Sequence, residues 1–276
     1  MGDGPRRKWA GRATGSTEYP VDDYTRDIFQ KALLAMNGAR IPYVVAGAFA
    51  LHWYSGFHRL PKDLDFFLME QDVPRAMQAL RQIGFVTRVK HPEWLAEGVR
   101  QDYKVDLIYG MGNWLDHVDR EYVDLARPGL VLGVRTLICP PEEMIYSKAF
   151  VASRERNDSA DVYHLLVATR GRLDWDRLLR RFGENWEVLL SHLVMFRYVY
   201  PSHRDLIPER VLGELISRLE RSRHEPWRGE KLCRGYLLDG IGSYYLDVKE
   251  WGYVDARERA WERERQRRLK EREEAA

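Results

Sequence analysis

The chain has 276 residues, 45% of them hydrophobic and 31% charged, a balance that excludes a disordered or fibrous chain and leaves room for one large globular domain or two ordinary ones. Its net charge of +2 neither demands a nucleic-acid partner nor excludes a local basic groove. Only Cys139 and Cys233 are present, so a disulfide framework and a thiolate metal site are excluded, and no segment approaches the roughly 18 apolar residues of a membrane span.

Residues 1–20 carry Gly, Pro and several basic side chains and are expected to form a loosely ordered tail. They show no apolar h-region, so no secretory signal is expected and a cytoplasmic location is the default. Asp22 or Asp23 is placed to cap a helix reaching about Asn37, with Ile28, Leu33 and Leu34 facing inward and Gly38 ending it. Ile41 to Ala46 reads as the first strand and Ala48 to Tyr54 as the helix behind it. Gly56 to Pro61 is a loop feeding a strand that carries Asp63. Asp72 caps a helix to about Ile83, which Gly84 stops, and Phe85 to Lys90 and Val99 to Tyr109 follow as strands. Leu130 to Cys139 is a further strand or hairpin, with Gly133 at a turn or bulge.

Pro140-Pro141 breaks the chain, and from Glu142 the periodicity is helical, over about 142–154, 158–169, 174–182, 184–199 and 208–222. The pattern predicts an α+β protein: a mixed-sheet domain over 21–140 followed by a mostly helical domain over 141–230. Leu232 to Tyr253 mixes glycines with Tyr236, Tyr244, Tyr245, Trp251 and Tyr253. It packs against the helical half or extends to bind substrate or a neighbouring subunit. Asp255 to Ala276, the end of a 231–276 extension, is a charged helix-like tail in which Glu264 and Arg268 form an i,i+4 pair. A solvated or frayed helix is expected, contact with RNA being the alternative.

Asp63-Leu64-Asp65 is the feature with the most chemical content. Leu64, Phe66, Phe67 and Leu68 mark a buried strand, and residues i and i+2 of a strand share a face. Two carboxylates that close repel each other unless a cation lies between them, and hard oxygen ligands suit Mg²⁺. In Lys104-Val105-Asp106-Leu107-Ile108-Tyr109 a third carboxylate, Asp106, lies opposite the apolar face, with Asp102 as its nearby competitor. Two ions roughly 3.5–4 Å apart, bridged by such carboxylates, activate an attacking hydroxyl and steady a leaving pyrophosphate. Asp106 is also a candidate to accept the proton of that hydroxyl. The plainer alternative makes Asp63 and Asp65 a turn-capping pair salt-bridged to Arg59 and Lys62. Those two bases, just upstream, are equally suited to neutralising phosphate, Arg59 with bidentate geometry, or to sitting on an ordinary surface loop.

The stretch from Val44 to Leu68 resembles the nucleotidyltransferase superfamily with the DNA polymerase β-type catalytic fold. Its wording is closest to the AbiEii-like and other minimal nucleotidyltransferases. Their pattern is a Gly-Gly or Gly-Ser pair opening a short helix, an Arg, an Asp-x-Asp and a later single Asp. The resemblance covers roughly residues 41–165 and implies a mixed-sheet nucleotidyltransferase catalytic domain before the helical one. It implies that Gly47 opens the phosphate loop, that Asp63 and Asp65 hold metal, and that Asp106 is the third carboxylate. Mg²⁺ or Mn²⁺ is then the cofactor and an NTP the substrate. Ala48 departs from the pattern: a Ser would offer its hydroxyl to a phosphate oxygen, whereas Ala48 offers only its backbone N–H, though a helix start still binds anions through free amides. AbiEii-like proteins also show a Lys, an Arg and an Asp-x-x-Asp helix further on, matched here by Lys148, Arg154, Asp158 and Asp161. The similarity implies that Lys148 reaches the triphosphate and that Asp158 and Asp161 orient it or Arg154. Asp158 alternatively sits at a helix N-terminus for the sake of the dipole.

The implied activity is transfer of an NMP to an acceptor with release of pyrophosphate. The acceptor is an RNA 3′ end, a protein side chain or a small molecule such as an aminoglycoside. AbiEii-like relatives include toxin partners of toxin–antitoxin pairs, so tRNA and a cognate antitoxin enter as possible partners by resemblance. The rival classes are a non-catalytic nucleotide-binding or interaction module on the same fold and a phosphodiesterase using the same acids. His52, alone on its helix, is expected to be structural. No zinc-spaced Cys/His group, Walker loop or Rossmann fingerprint is present.

Overall fold

The computed structural model describes residues 19, 21–57, 61, 63–240 and 242–274. Helix α1 (Asp23–Gly38) starts where Asp22, in extended conformation, accepts a hydrogen bond from the Thr25 amide, satisfying one of the orphan donors of a helix start. Ile28, Phe29, Ala32, Leu33 and Met36 recur at helical spacing and are buried. Leu34, expected inward, is 57% exposed, because the residue after Leu33 is turned about 100° around the helix.

Strand β1 (Tyr43–Val45) leads into α2 (Gly47–Ser55), then β2 (Asp63–Leu68), α3 (Val73–Gln82), β3 (Val86–His91), β4 (Leu95–Arg100) and β5 (Tyr103–Ile108). A short helix α4 (Arg120–Asp124) precedes the hairpin of β6 (Arg127–Val131) and β7 (Val134–Ile138). One seven-stranded sheet results, in the order β3-β4-β5-β2-β1-β7-β6. It is mixed: β2 runs antiparallel to β1 but parallel to β5, and β1 runs parallel to β7. Leu132 and Gly133 take positive φ at the β6–β7 turn, which is where the sequence placed a turn.

The run Val99 to Tyr109 is not one strand. A two-residue turn at Gln101 and Asp102 splits it, with Arg100 opposite Tyr103 and Gln101 at φ 53°. Asp102 therefore lies in the turn and does not share the strand face of Asp106. A turn with φ > 0 ordinarily advertises itself with Gly or Asn, and here neither residue does.

Helix α3 covers one face of the outer strands: a Cβ built on Gly98 would meet Leu80 at 3.1 Å. The opposite face carries Asp63, Asp65 and Asp106. After Pro140 the chain is mostly helical, through α5 (Pro141–Ala149), α6 (Ser159–Thr169), α7 (Trp175–Phe182), α8 (Trp186–Val199) and α9 (Glu209–Ser222). The chain is thus an α+β protein, a mixed sheet followed by a helical half. Helix α5 stops at Ala149, short of the expected 154, and Ala152 and Asn157 bridge across the bend that follows.

The last segment forms a two-stranded parallel ladder from β8 (Leu232–Cys233) and β9 (Val254–Asp255). Short helices α10 (Gly235–Leu238) and α11 (Tyr245–Lys249) lie between them, and α12 (Ala256–Glu274) follows. Glu264 and Arg268 do pair, at 2.8 Å, and α12 is anchored to the sheet half as well: Arg268 reaches Glu70 at 2.8 Å and donates to the Glu93 carbonyl. No described helix is long and apolar enough to cross a membrane.

Candidate active site

The register of β2 and β5 builds the site. Asp65 lies directly opposite Asp106, and Asp63 opposite Lys104. Paired residues on neighbouring strands project to the same face, so four charged side chains converge from two adjacent strands. Asp63, Asp65 and Asp106 each offer an oxygen, and these atoms lie within 4.8 Å of one another. The Lys104 ammonium sits at their rim, 3.2 Å from Asp63 Oδ2 and 2.8 Å from Asp106 Oδ2.

Gly47 closes the site from the side of α2. It has φ +57°, and a Cβ added to it would lie 1.7 Å from Asp65 Oδ2. Both facts demand glycine, one because L-residues pay for a left-handed conformation, the other because the carboxylate already fills the space. The Ala46 amide donates to the Asp65 carbonyl at 2.9 Å, which ties the helix start to the strand. The N-cap residue of α2, Ala46, has no side chain to cap the helix, and Ala48 is buried just inside it.

The electrostatics follow from this crowding. Burial first, then the neighbouring charges of Asp63 and Asp106, push the Asp65 carboxyl up to about 7, against the opposing pull of Lys148 and Lys104. Asp106 is raised as well, by burial, with Lys104 opposing. For Lys104 burial works against the charged form, but Asp106 and Asp63 outweigh it and hold the ammonium above its ordinary value. Asp106 Oδ1 is buried and has no hydrogen-bond partner among the described residues, a costly condition for a polar atom.

Lys148 lies on α5, buried, with Nζ 2.5 Å from Asp161 Oδ2 and 3.2 Å from Asp158 Oδ2. Its charge still acts on Asp65. Asp158 stands at the start of α6 without capping it and instead receives Lys148 and Arg156, the latter through two hydrogen bonds of 3.1 and 2.8 Å. The arginine held by Asp158 is therefore Arg156 and not Arg154, and Arg156 feels the charges of Asp65 and Asp63. Arg59 and Lys62 lie outside the described residues. His52 is buried, its Nδ1 3.2 Å from the Phe57 carbonyl, and packs against Tyr19, a structural placement.

Sequence reasoning passed over three residues here. Lys104 shares the i,i+2 relation with Asp106 that drew attention to Asp63 and Asp65, so its signal was present. Glu97, opposite Asp106 on β4, is 2% exposed and bridges Arg88 and Lys90; its strand was not delimited from sequence. Arg156 was hidden by the helix expected to run to 154.

The donor set fits a divalent cation. All three ligating groups are carboxylates, which suit Mg²⁺ or Mn²⁺. The Asp106 Oδ1 without a hydrogen-bond partner and the elevated Asp65 mark a place where, among the described residues, negative charge exceeds positive.

No family model matches the chain, and no curated protein matches it. Among solved structures, nucleotidyltransferases are similar to it. The antibiotic-resistance factor ANT(2'')-Ia is 12% identical with TM-score 0.43, covering 75% of this chain and 100% of its own. The lincosamide antibiotic adenylyltransferase LnuA, bound to lincomycin, is 14% identical with TM-score 0.39, over 52% of this chain and 96% of its own. An antigenic nucleotidyltransferase-like protein from Paracoccidioides brasiliensis is 16% identical with TM-score 0.44, over 68% and 95%. The likeness is loose at these values.

Proposed function

We propose that the chain is a divalent-metal-dependent nucleotidyltransferase that moves an NMP from an NTP to an acceptor and releases pyrophosphate. The observation that carries this reading is the set of three carboxylates within 4.8 Å of one another, beside a glycine-started helix whose N-cap residue brings no capping side chain. Residues 21–140 form the catalytic unit in this reading, and the helical half supplies Lys148 and Arg156.

Asp63, Asp65 and Asp106 would hold Mg²⁺ or Mn²⁺, which when bound supplies Lewis-acid polarisation of phosphoryl oxygens and charge neutralisation. The free amides at the start of α2 orient phosphate oxygens, and Gly47 lets that turn approach Asp65 closely. Lys148 and Arg156, held by Asp158 and Asp161, place positive charge toward the phosphates; Arg59 and Lys62 are further candidates for this role. The acceptor hydroxyl loses its proton to Asp106, the triad member on β5. Its oxygen bonds to the α-phosphorus in line as the bond to the β-phosphate oxygen breaks.

The AbiEii-like resemblance directs the search for an acceptor to RNA, tRNA foremost, and adds a cognate antitoxin to the partners worth testing. The test is incubation with α-labelled NTPs and Mg²⁺ or Mn²⁺, with total RNA, lysate protein and aminoglycosides supplied in turn. Label is expected in one fraction, with stoichiometric pyrophosphate; label in none and no pyrophosphate would end the proposal. Ala48, which brings no hydroxyl to the phosphate site, favours a second reading, a non-catalytic nucleotide-binding module. Titration calorimetry separates the two, since a module binds NTP without needing the metal.

A further inference from the structure

We propose that Lys104 is the resident cation of the carboxylate triad: its ammonium holds the seat between Asp63 and Asp106, and a divalent ion enters the site by displacing it. This rests on the metal reading of the triad given above.

The placement is written into the sheet. Lys104 lies opposite Asp63 in the β2–β5 register and two residues before Asp106 on the same strand, so its side chain rises on the carboxylate face wherever that register forms. Its Nζ lies 3.2 Å from Asp63 Oδ2 and 2.8 Å from Asp106 Oδ2. An ion coordinated by oxygens of those two acids at roughly 2.0–2.6 Å would occupy the same gap. A monovalent and a divalent cation cannot both sit there, since like charges at such range repel strongly in a partly buried site.

Among the described residues, the two lysines near the triad differ in how freely they can leave. Lys148 is enclosed, its side chain 8% exposed, and its partners Asp158 and Asp161 lie outside the triad. Lys104 has a side chain 32% exposed, and both of its partners are triad members. When those acids turn to a metal, Lys104 loses its anions and has an open path to water on its flexible four-carbon stem. Among the described residues it neutralises the triad only in part, touching two acids of three, with Asp106 Oδ1 given no hydrogen-bond partner. That state preorganises the carboxylates without satisfying them.

Two measurements test this. The first is titration of metal-free protein with Mn²⁺, read by loss of the free-ion EPR signal. Lys104→Met is expected to bind Mn²⁺ about tenfold or more tightly than wild type, while Lys90→Met stays within about twofold. Lys90 is the control because it is a cation of the same sheet, paired with Glu97 at 3.4 Å and not with the triad. The second measurement needs no variant and so stands even if Lys104→Met fails to fold. Wild-type protein is acetylated briefly with an N-hydroxysuccinimide ester, with and without Mn²⁺, and digested for mass spectrometry. Lys104 is expected to be protected without the ion and to label several-fold faster with it, Lys148 remaining protected in both states. If Mn²⁺ binds the wild type but leaves Lys104 labelling unchanged, or if Lys104→Met binds no more tightly than Lys90→Met, the resident-cation role is wrong and the metal site survives. If Mn²⁺ binds none of the proteins, the metal reading itself falls and takes this inference with it.

Discussion

Two clusters of acids, each partly buried, are neutralised in opposite ways. Between the sheet and the helical half, Arg181 reaches Asp116 at 3.1 Å, Glu143 at 3.2 Å, Glu121 at 3.3 Å and Asp119 at 3.4 Å, and stacks over the Tyr122 ring. Arg177 joins it, bonded to Glu142 and 3.5 Å from Glu143. Planar guanidinium groups present several donors at fixed angles, so two arginines serve five carboxylates and bind the loop before α4 to α5 and α7. In the triad, among the described residues, one ammonium touches two acids and an oxygen of Asp106 has no hydrogen-bond partner. The first arrangement is glue. The second leaves carboxylate charge only partly neutralised, which is costly for the protein.

Removing one residue from each cluster should separate those roles most sharply. Arg181→Ala removes the guanidinium that Asp116 and Glu143 share, leaving the Tyr122 hydroxyl on the first and Arg177 near the second, and removing one partner of such a buried network costs about 3–5 kcal/mol. The melting temperature should fall by roughly 10 °C, followed by circular dichroism. Asp63→Asn and Asp65→Asn relieve repulsion, so each should leave the melting temperature unchanged or raised. Nucleotidyl transfer should drop by about 10²–10³ or more, the size of losing one preorganised electrostatic group. A triad variant that melted as early as Arg181→Ala would show that the triad is glue too.

Gly47→Ala is a smaller and more local break. The new methyl would lie 1.7 Å from Asp65 Oδ2 at a φ of +57°, so the backbone or the carboxylate must move. The left-handed conformation alone costs roughly 1–2 kcal/mol. Mn²⁺ affinity, measured by calorimetry, should weaken by about tenfold, in line with an energy of that size. Unchanged affinity would mean that Asp65 does not need the close approach of α2.

The contrast between the clusters was only partly legible in the sequence. Asp63 and Asp65 could be read as sharing a face because strand periodicity is local. That Asp65 would face Asp106 could not, since parallel pairing of β2 with β5 depends on the whole crossover through α3, β3 and β4. The turn's positive φ falls on Gln101, a residue that does not signal one, so two strands read as one and Asp102 looked like a rival to Asp106. Arg154 was matched by the resemblance alone; α5 stops at Ala149, and the bend that follows presents Arg156 to Asp158. The arginine cluster left no trace, because Arg181 is separated by about 60 residues from three of its partners. Long-range ion networks have no sequence period.

The finest separation comes from pH. Asp65 is pushed up to about 7 by burial and by Asp63 and Asp106, and Glu143 to about 7 by burial, with Arg177 and Arg181 opposing. Both hold in the folded state a proton that the unfolded chain releases near pH 4. Each therefore contributes stability that is full below that range and is lost as pH rises through about 7. The melting temperature of the metal-free protein should decline between about pH 4 and pH 7, with each group accounting for a few degrees. Asp65→Asn should remove one part of the decline and Glu143→Gln the other. Added Mn²⁺ distinguishes them without any substitution: a cation on the triad stabilises ionised Asp65 and erases its part, but has no seat beside Glu143 and leaves the rest. A decline that Mn²⁺ leaves wholly intact would place the titrating group in the arginine cluster alone, and Asp65 would then be ionised in the empty site despite its neighbours.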